Sequence, residues 1–155
     1  RRVLFRSPSS LLKSLLFTSL PTLRSLTFQS SHNLISFSCS TLALFPLLFP
    51  NLTSLSLSAD CRPLFPLLPT ATSLLRLSFG YFLTDQVIVQ VLESLHAPLE
   101  VVELEDPRKL GVLGRCLEVP GLKRLKVVEL GWRGRKEGMV ESEVCRERGV
   151  EVQWS

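Results

Sequence analysis

Apolar residues recur along the chain in one local arrangement: an apolar residue, two of any kind, a second apolar residue, one of any kind, and a third. The segments LPTLRSLTF at 20–28, FPNLTSLSL at 49–57 and VPGLKRLKV at 119–127 carry it behind a proline, while SLLRLSF at 73–79 and PLEVVEL at 98–104 carry it without that proline. Their middle apolar residues, Leu26, Leu55, Leu77, Val102 and Leu125, are spaced by about 22 to 29 residues, the period of arrays built from one short strand and one return segment per repeat. In a strand, residues two apart share a face, so the leucines of each copy point into a core and the residues between them point outward. The next parallel strand is reached only by a crossover, commonly a helix. A single parallel sheet is therefore expected, with strands over 23–28, 52–57, 74–79, 99–104, 122–127 and 150–154.

Between the strands the periodicity changes to a helical one. Val87, Ile88, Val91, Leu92 and Leu95 recur at helical spacing behind Thr84, a capping residue, and Pro98 follows the end. Pro107 opens a second helix with Leu110, Leu113 and Leu117 on one side. A third is expected over 137–148, stopped by Gly149, and a fourth behind Ser9 or Ser10 through Leu11, Leu12, Leu15 and Leu16. Pro63, Pro66 and Pro69 exclude a regular α-helix over 61–69, which is expected to run extended or as a 3₁₀ turn.

The copies LPTLRSLTF, FPNLTSLSL and VPGLKRLKV resemble the strand segments of ribonuclease-inhibitor-like leucine-rich repeats. The ending VCRERGVEVQW at 144–154 is similar to the last helix and strand of such repeats in fungal F-box-type proteins. The resemblance covers 20–154 and implies an α/β fold, an irregular leucine-rich-repeat solenoid of about six repeats with a parallel sheet on one side and helices or loops on the other. It implies a protein-protein interaction module, with substrate recognition in a ubiquitin ligase complex as its role. Two departures stand out. The asparagine expected three residues past the strand motif is replaced by Ser31, Asp60, Phe82, Pro107 and Leu130, so no ladder of side-chain amides ties the turns together. No F-box segment is visible, so an adaptor role requires one upstream of a chain read here as one domain over 1–155, the C-terminal piece of a longer protein.

Charge divides unevenly. Residues 1–80 hold seven Lys and Arg against the single acid Asp60, whereas the remainder holds eleven against thirteen, for a net charge of +4. The basic excess is scattered rather than gathered into a dense run, which argues against nucleic acid as a partner. The longest apolar stretch, 42–49, is interrupted by Pro46 and is far shorter than a membrane span, so no membrane partner is expected. The first twenty residues are basic, Ser-rich and free of acids, which is also how a transit peptide looks. Cys39, Cys61, Cys116 and Cys145 lie far apart, with only His32 and His96 to complement them, so neither a zinc site nor a disulfide framework is indicated. Scattered single thiols fit a reducing interior, cytoplasmic or nuclear. Asn51, Leu52 and Thr53 form a glycosylation sequon, but Leu52 falls on a core position of the template.

Groups that suggest chemistry dissolve into the repeat. Glu100, Glu103, Glu105 and Asp106 read alone as metal or acid-base carboxylates, and Lys123, Arg124 and Lys126 as a phosphate grip. On the template they are neighbours, Glu100 in the slot of Lys123 and Glu103 in that of Lys126, which leaves little net field. Neither a nucleotide loop nor a Ser-His-acid pattern is present, and neither enzyme activity nor a cofactor or metal is expected. The expected partner-binding surface is the outward strand set Arg24, Thr27, Thr53, Ser56, Arg76, Ser78, Glu100, Glu103, Lys123 and Lys126. Trp132 and Arg133, with Arg135 and Lys136, add a hot-spot composition beside it. The alternative is a structural remnant of a longer solenoid with no specific ligand of its own.

Two finer expectations follow. In the strand after Pro120, either Leu122, Leu125 and Val127 point inward and Lys126 lies beside Glu103, or Leu125, Val128 and Leu130 point inward and Glu129 takes that place. Unlike charges on adjacent strands attract and like charges repel, so the first register is expected. At the start of the stack, the strand over 23–28 is expected to have an open edge with 3–5 as its only possible cover, and the chain is expected to self-associate.

Overall fold

The computed structural model describes residues 2–5, 22–28, 45–58, 61–131 and 143–154, of which 2–5 are described by their backbone alone. Among the described residues, seven four-residue strands form one sheet: β1 (Arg2–Phe5), β2 (Ser25–Phe28), β3 (Ser54–Leu57), β4 (Arg76–Phe79), β5 (Val101–Leu104), β6 (Val127–Leu130) and β7 (Glu151–Trp154). Each pairs in parallel with its sequence neighbours, so spatial order equals chain order. The crossovers carry α1 (Phe45–Leu48), α2 (Asp85–Ser94), α3 (Leu110–Cys116) and α4 (Glu143–Glu147), together with 3₁₀ segments. The architecture is thus α/β, with one parallel sheet and several helices.

The spacing of three between the first two leucines of each copy has a backbone cause. Just before β3, the amides of Thr53 and Ser54 both donate to the Arg24 carbonyl, at 2.9 and 3.0 Å. The same sharing recurs for Leu75 and Arg76 on Thr53, Glu100 and Val101 on Leu75, and Lys126 and Val127 on Glu100. Two successive amides on one acceptor break the strict alternation of faces, as in a bulge. Leu23 and Leu26, Leu52 and Leu55, Leu74 and Leu77, and Leu99 and Val102 therefore all end buried although each pair is three apart.

Between the strands, local chemistry decides the connection. Thr84 Oγ1 accepts from the Val87 amide at 3.4 Å and caps α2, which buries Val87, Ile88, Val91 and Leu92. The proline-rich segment forms a 3₁₀ helix over Arg62–Thr70. Its three-residue turn stacks Pro63, Pro66 and Pro69 on one exposed side and leaves Leu64 and Leu68 to the core. Asp106, Pro107 and a 3₁₀ turn lead into α3, and α4 ends at Gly149, which has φ +68°. The helix expected behind Ser9 or Ser10 falls outside the described residues, as does the 137–142 part of the one expected over 137–148, whose remainder contains α4.

Two expectations are corrected. The strand placed over 122–127 is β6, three residues later: Leu122 closes the 3₁₀ turn Pro120–Leu122, and the inward residues are Leu125, Val128 and Leu130. Glu129, not Lys126, therefore lies level with Glu103. Leu130, named as a replacement for the missing asparagine, lies inside the strand. The edge of β2 is not open either, because β1 pairs with it from Arg2↔Ser25 to Phe5↔Phe28.

Successive turns sit so close past the strand ends that two glycines are required. A Cβ on Gly80 would lie 2.5 Å from Ser58 Cα, and one on Gly131 would lie 2.8 Å from the Glu105 carbonyl oxygen. Gly80→Ala and Gly131→Ala are each expected to cost about 1–3 kcal/mol in urea unfolding. Gly111→Ala in α3, where no atom lies within 4 Å of the added carbon, should raise stability by about 0.5–1 kcal/mol. Equal stability of the Gly80 variant and the parent would show that the turns are not stacked this closely.

Candidate functional site

The outward face of the sheet is made of two rows that the register defines. One runs Ser25, Ser54, Arg76, Val101, Val127, Glu151, and the other Thr27, Ser56, Ser78, Glu103, Glu129, Gln153. A third column, Arg24, Thr53, Leu75, Glu100 and Lys126, flanks them at the shared carbonyls. Hydroxyls dominate over β2–β4, and carboxylates over β5–β7.

The like-charged neighbours Glu103 and Glu129 are tolerated because of a residue outside the pair. Arg76, two strands from β6, donates through Nη2 to Glu129 Oε2 and lies 3.6 Å from Glu103 Oε2. Lys126 meanwhile donates to Glu100 at 3.0 Å. The three-residue slip thus keeps unlike charges paired, Glu100 with Lys126 and Arg76 with both remaining carboxylates, and adds Val128 and Leu130 to the core.

Of the expected surface residues, Arg24, Thr53, Ser56, Arg76, Glu100, Glu103 and Lys126 fall on this face. Arg24 Nη1 donates to the Asn51 carbonyl at 3.0 Å, and Thr53 Oγ1 to the Arg24 carbonyl at 3.1 Å. Thr27 and Ser78 lie in the outward row yet are buried. Lys123 belongs to the turn after Pro120–Leu122 and is not level with Glu100. Trp132 and Arg133, with Arg135 and Lys136, lie outside the described residues. Sequence reasoning missed Glu129, Val127, Glu151 and Gln153, although a signal was present: β5 and β6 share the tetrapeptide VVEL, which aligns 101–104 with 127–130.

A second cluster crowns the strand ends beyond β4 and β5. Asp106, 4% exposed, accepts from the Arg108 amide at 3.1 Å and from Nε and Nη2 of the same guanidinium at 2.9 and 3.1 Å. Arg108 also donates to Tyr81 Oη at 2.8 Å and lies 5.5 Å from that ring's centroid. Tyr81 meets Phe82 edge to face at 5.5 Å, and Phe82 is 66% exposed. Aromatic side chains beside an arginine have the composition of binding hot spots. Burial pushes the Asp106 carboxyl up, but the hydrogen bonds and charge of Arg108, with Lys109 behind them, outweigh it and hold the carboxyl below its ordinary range.

Burial, then Glu93, raises the Cys116 thiol against a smaller opposing effect of Arg115, which makes it a poor nucleophile. Cys61 and Cys145 are buried as well, and Cys39 lies outside the described residues. Among the described residues, no three His, Cys, Asp or Glu gather as metal ligands, and no buried side-chain nitrogen or oxygen lacks a hydrogen-bond partner. No helix among them is long and apolar enough to cross a membrane. Comparison with family models, curated proteins and solved structures gives no match.

Arg76→Met should cost about 0.5–1 kcal/mol, more at low salt, by setting Glu103 against Glu129. Adding Glu129→Gln should recover most of that loss, and a double-mutant cycle in urea with no coupling would refute the bridge.

Acid should act through Asp106. Its folded-state pKa is lowered, so its contribution is complete above about pH 5 and is lost as pH falls through that lowered value. Asp106→Asn should lower stability by about 1–2 kcal/mol near neutrality and flatten the acid limb of the stability profile. An unchanged acid limb in pH-dependent unfolding would contradict this assignment.

Proposed function

We propose that the chain is a leucine-rich-repeat solenoid serving as a protein-interaction module, with the outward face of the sheet as its recognition surface. The observation that carries this reading is the continuity of the outward rows. Parallel strands in chain order bring side chains from successive repeats into one surface, Ser56, Ser78, Glu103, Glu129 and Gln153 standing side by side along a single row. Such a surface suits an extended or large partner, which touches many weakly contributing positions at once. Arg76 with Glu103 and Glu129, and Lys126 with Glu100, are already paired within the face, so a partner that engages them exchanges existing ion pairs for new ones, which favours selectivity over raw affinity.

The resemblance of the terminal helix and strand to repeats of fungal F-box-type proteins makes a substrate for ubiquitination the proposed partner, in the cytoplasm or nucleus. The half-buried Tyr81 and the exposed Phe82, just past the end of β4, offer a further aromatic contact.

Photo-crosslinking residues placed at Ser56, Glu103 and Gln153, and at Gln86, Glu93 and Arg115 in the helical crossovers, test the reading in cells that express the chain. Crosslinks to another protein are expected from the first set. Glu129→Arg should reduce them at least about tenfold without changing the circular dichroism spectrum. Equal crosslinking from the crossover positions would overturn the assignment of the face, and a crosslinked protein that is never ubiquitinated would overturn the ligase role.

A further inference from the structure

The outward face of the sheet is not uniformly polar. Val101 and Val127 stand level on β5 and β6 and are half-buried on the side away from the core. Leu75, 41% exposed, lies beside them, since its carbonyl accepts the amides of Glu100 and Val101 at 2.9 and 3.0 Å. The other large apolar side chains left exposed among the described residues, Leu47, Phe82 and Val144, lie in α1, in the turn after β4 and in α4. Strand propensity accounts for valine in β5 and β6. It does not account for Leu75, which precedes β4 at the bulge, where the repeats before and after carry Thr53 and Glu100 in the same place.

Charged groups wall this strip on both sides. On one, Lys126 Nζ lies 3.0 Å from Glu100 Oε1. On the other, the Arg76 guanidinium meets Glu103 and Glu129. The row of the two valines then runs on to the exposed Glu151 of β7. An apolar floor enclosed by polar groups is the arrangement of interface hot spots, in which a rim excludes water from a central contact. The rim is also one-sided in charge, because Glu100, Glu103, Glu129 and Glu151 outnumber Arg76 and Lys126.

We infer that the partner meets this face with an extended basic segment that lays an apolar side chain on Leu75 and Val101 and a lysine or arginine beside Glu151. The floor selects the apolar group, since only such a side chain gains from covering it. The excess of carboxylates selects the cation, and an acidic segment that covered the same floor would meet repulsion at the rim. Strands about 4.8 Å apart put β5 about 10 Å from β7, which an extended chain covers in about three residues. The cation therefore stands about two to four residues from the apolar anchor. This inference rests on the reading of the outward face as a recognition surface and names the chemistry of what that face takes.

Selection from a display library of random short peptides on the full chain tests it, followed by fluorescence anisotropy of the most enriched peptide, synthesised with a fluorescein label. Enriched peptides are expected to carry an apolar residue with Lys or Arg at that separation. Leu75→Ser should weaken binding at least about tenfold, and Glu151→Lys about three- to tenfold with a reduced dependence on salt. Both side chains are exposed, and circular dichroism checks that each variant keeps the parent fold. Leu75→Gln and Glu151→Gln replace any variant that does not, the latter with a smaller loss. Selection that enriches nothing, or enriches acidic or wholly polar peptides, would overturn the inference, as would binding that survives either substitution. Crosslinking from Ser56, Glu103 and Gln153 tests the underlying reading separately. A face that crosslinks to a protein yet enriches acidic peptides keeps that reading and removes this inference.

Discussion

The shared carbonyl ahead of each of β3, β4, β5 and β6 is the constraint on which the rest of the structure depends. Arg24, Thr53, Leu75 and Glu100 each accept two successive amides from the following repeat, which fixes the register before the four-residue strand begins. Past the strand, the amides of Ser58, Gly80, Glu105 and Gly131 reach back to Phe28, Leu57, Phe79 and Leu104 at 2.8 to 3.0 Å and extend the ladder by one step. Backbone bonding of this kind demands little of side chains except at the two ends. There a leucine can turn inward only because the bulge permits it, and a glycine is needed where the next turn passes too closely for a Cβ. The apolar template is thus a by-product of backbone geometry, which explains how the repeats stay in register while their side chains vary.

Strands β2 to β5 and β7 are legible in the sequence because the template reports inward facing directly, and α2 because its apolar period, cap and terminating proline agree. The position of β6 is not. Matching Pro120 to Pro21 and Pro50 sets the strand three residues early, because Pro50 and Pro120 both fall in 3₁₀ turns whose distance to the next strand differs. A comparison of adjacent strands alone also hides Arg76, which reaches across β5 to Glu129 and reverses the electrostatic preference between the two registers. The identical VVEL segments carry more information than either argument, since they match inward and outward positions together. The short helix α1 is obscured because Pro46 reads as an interruption of the apolar stretch, although a first-turn proline is compatible with a helix start.

The candidate surface is legible as a set of columns and less so as chemistry. A period-two pattern predicts which residues face outward, but not which of them the neighbours then cover, and Thr27 and Ser78 are outward yet buried. Nor does it predict the crown past the strands, where Asp106, Arg108 and Tyr81 are brought together by the turn that follows β5 lying against the turn that follows β4. Tyr81 and Arg108 are 27 residues apart, and only the stacking of repeats makes them neighbours.

The irregularity of the crossovers follows from the same division of labour. The ladder specifies where each strand begins and ends, so a connection is bound only to span that distance and to return apolar side chains to the core. The 3₁₀ helix Arg62–Thr70 meets both demands with Leu64 and Leu68, α2 with Ile88 and Leu92, and α3 with Leu110 and Leu113. A 3₁₀ segment rises about 2.0 Å per residue against about 1.5 Å for an α-helix, so segments of similar length cover different distances. Successive strands held at one spacing by the ladder, and separated by unequal connections on the other side, must absorb that inequality in the outer layer. The outward face of the sheet can therefore stay regular even though, among the described residues, the return segments over 61–75, 80–100 and 105–126 differ from one another.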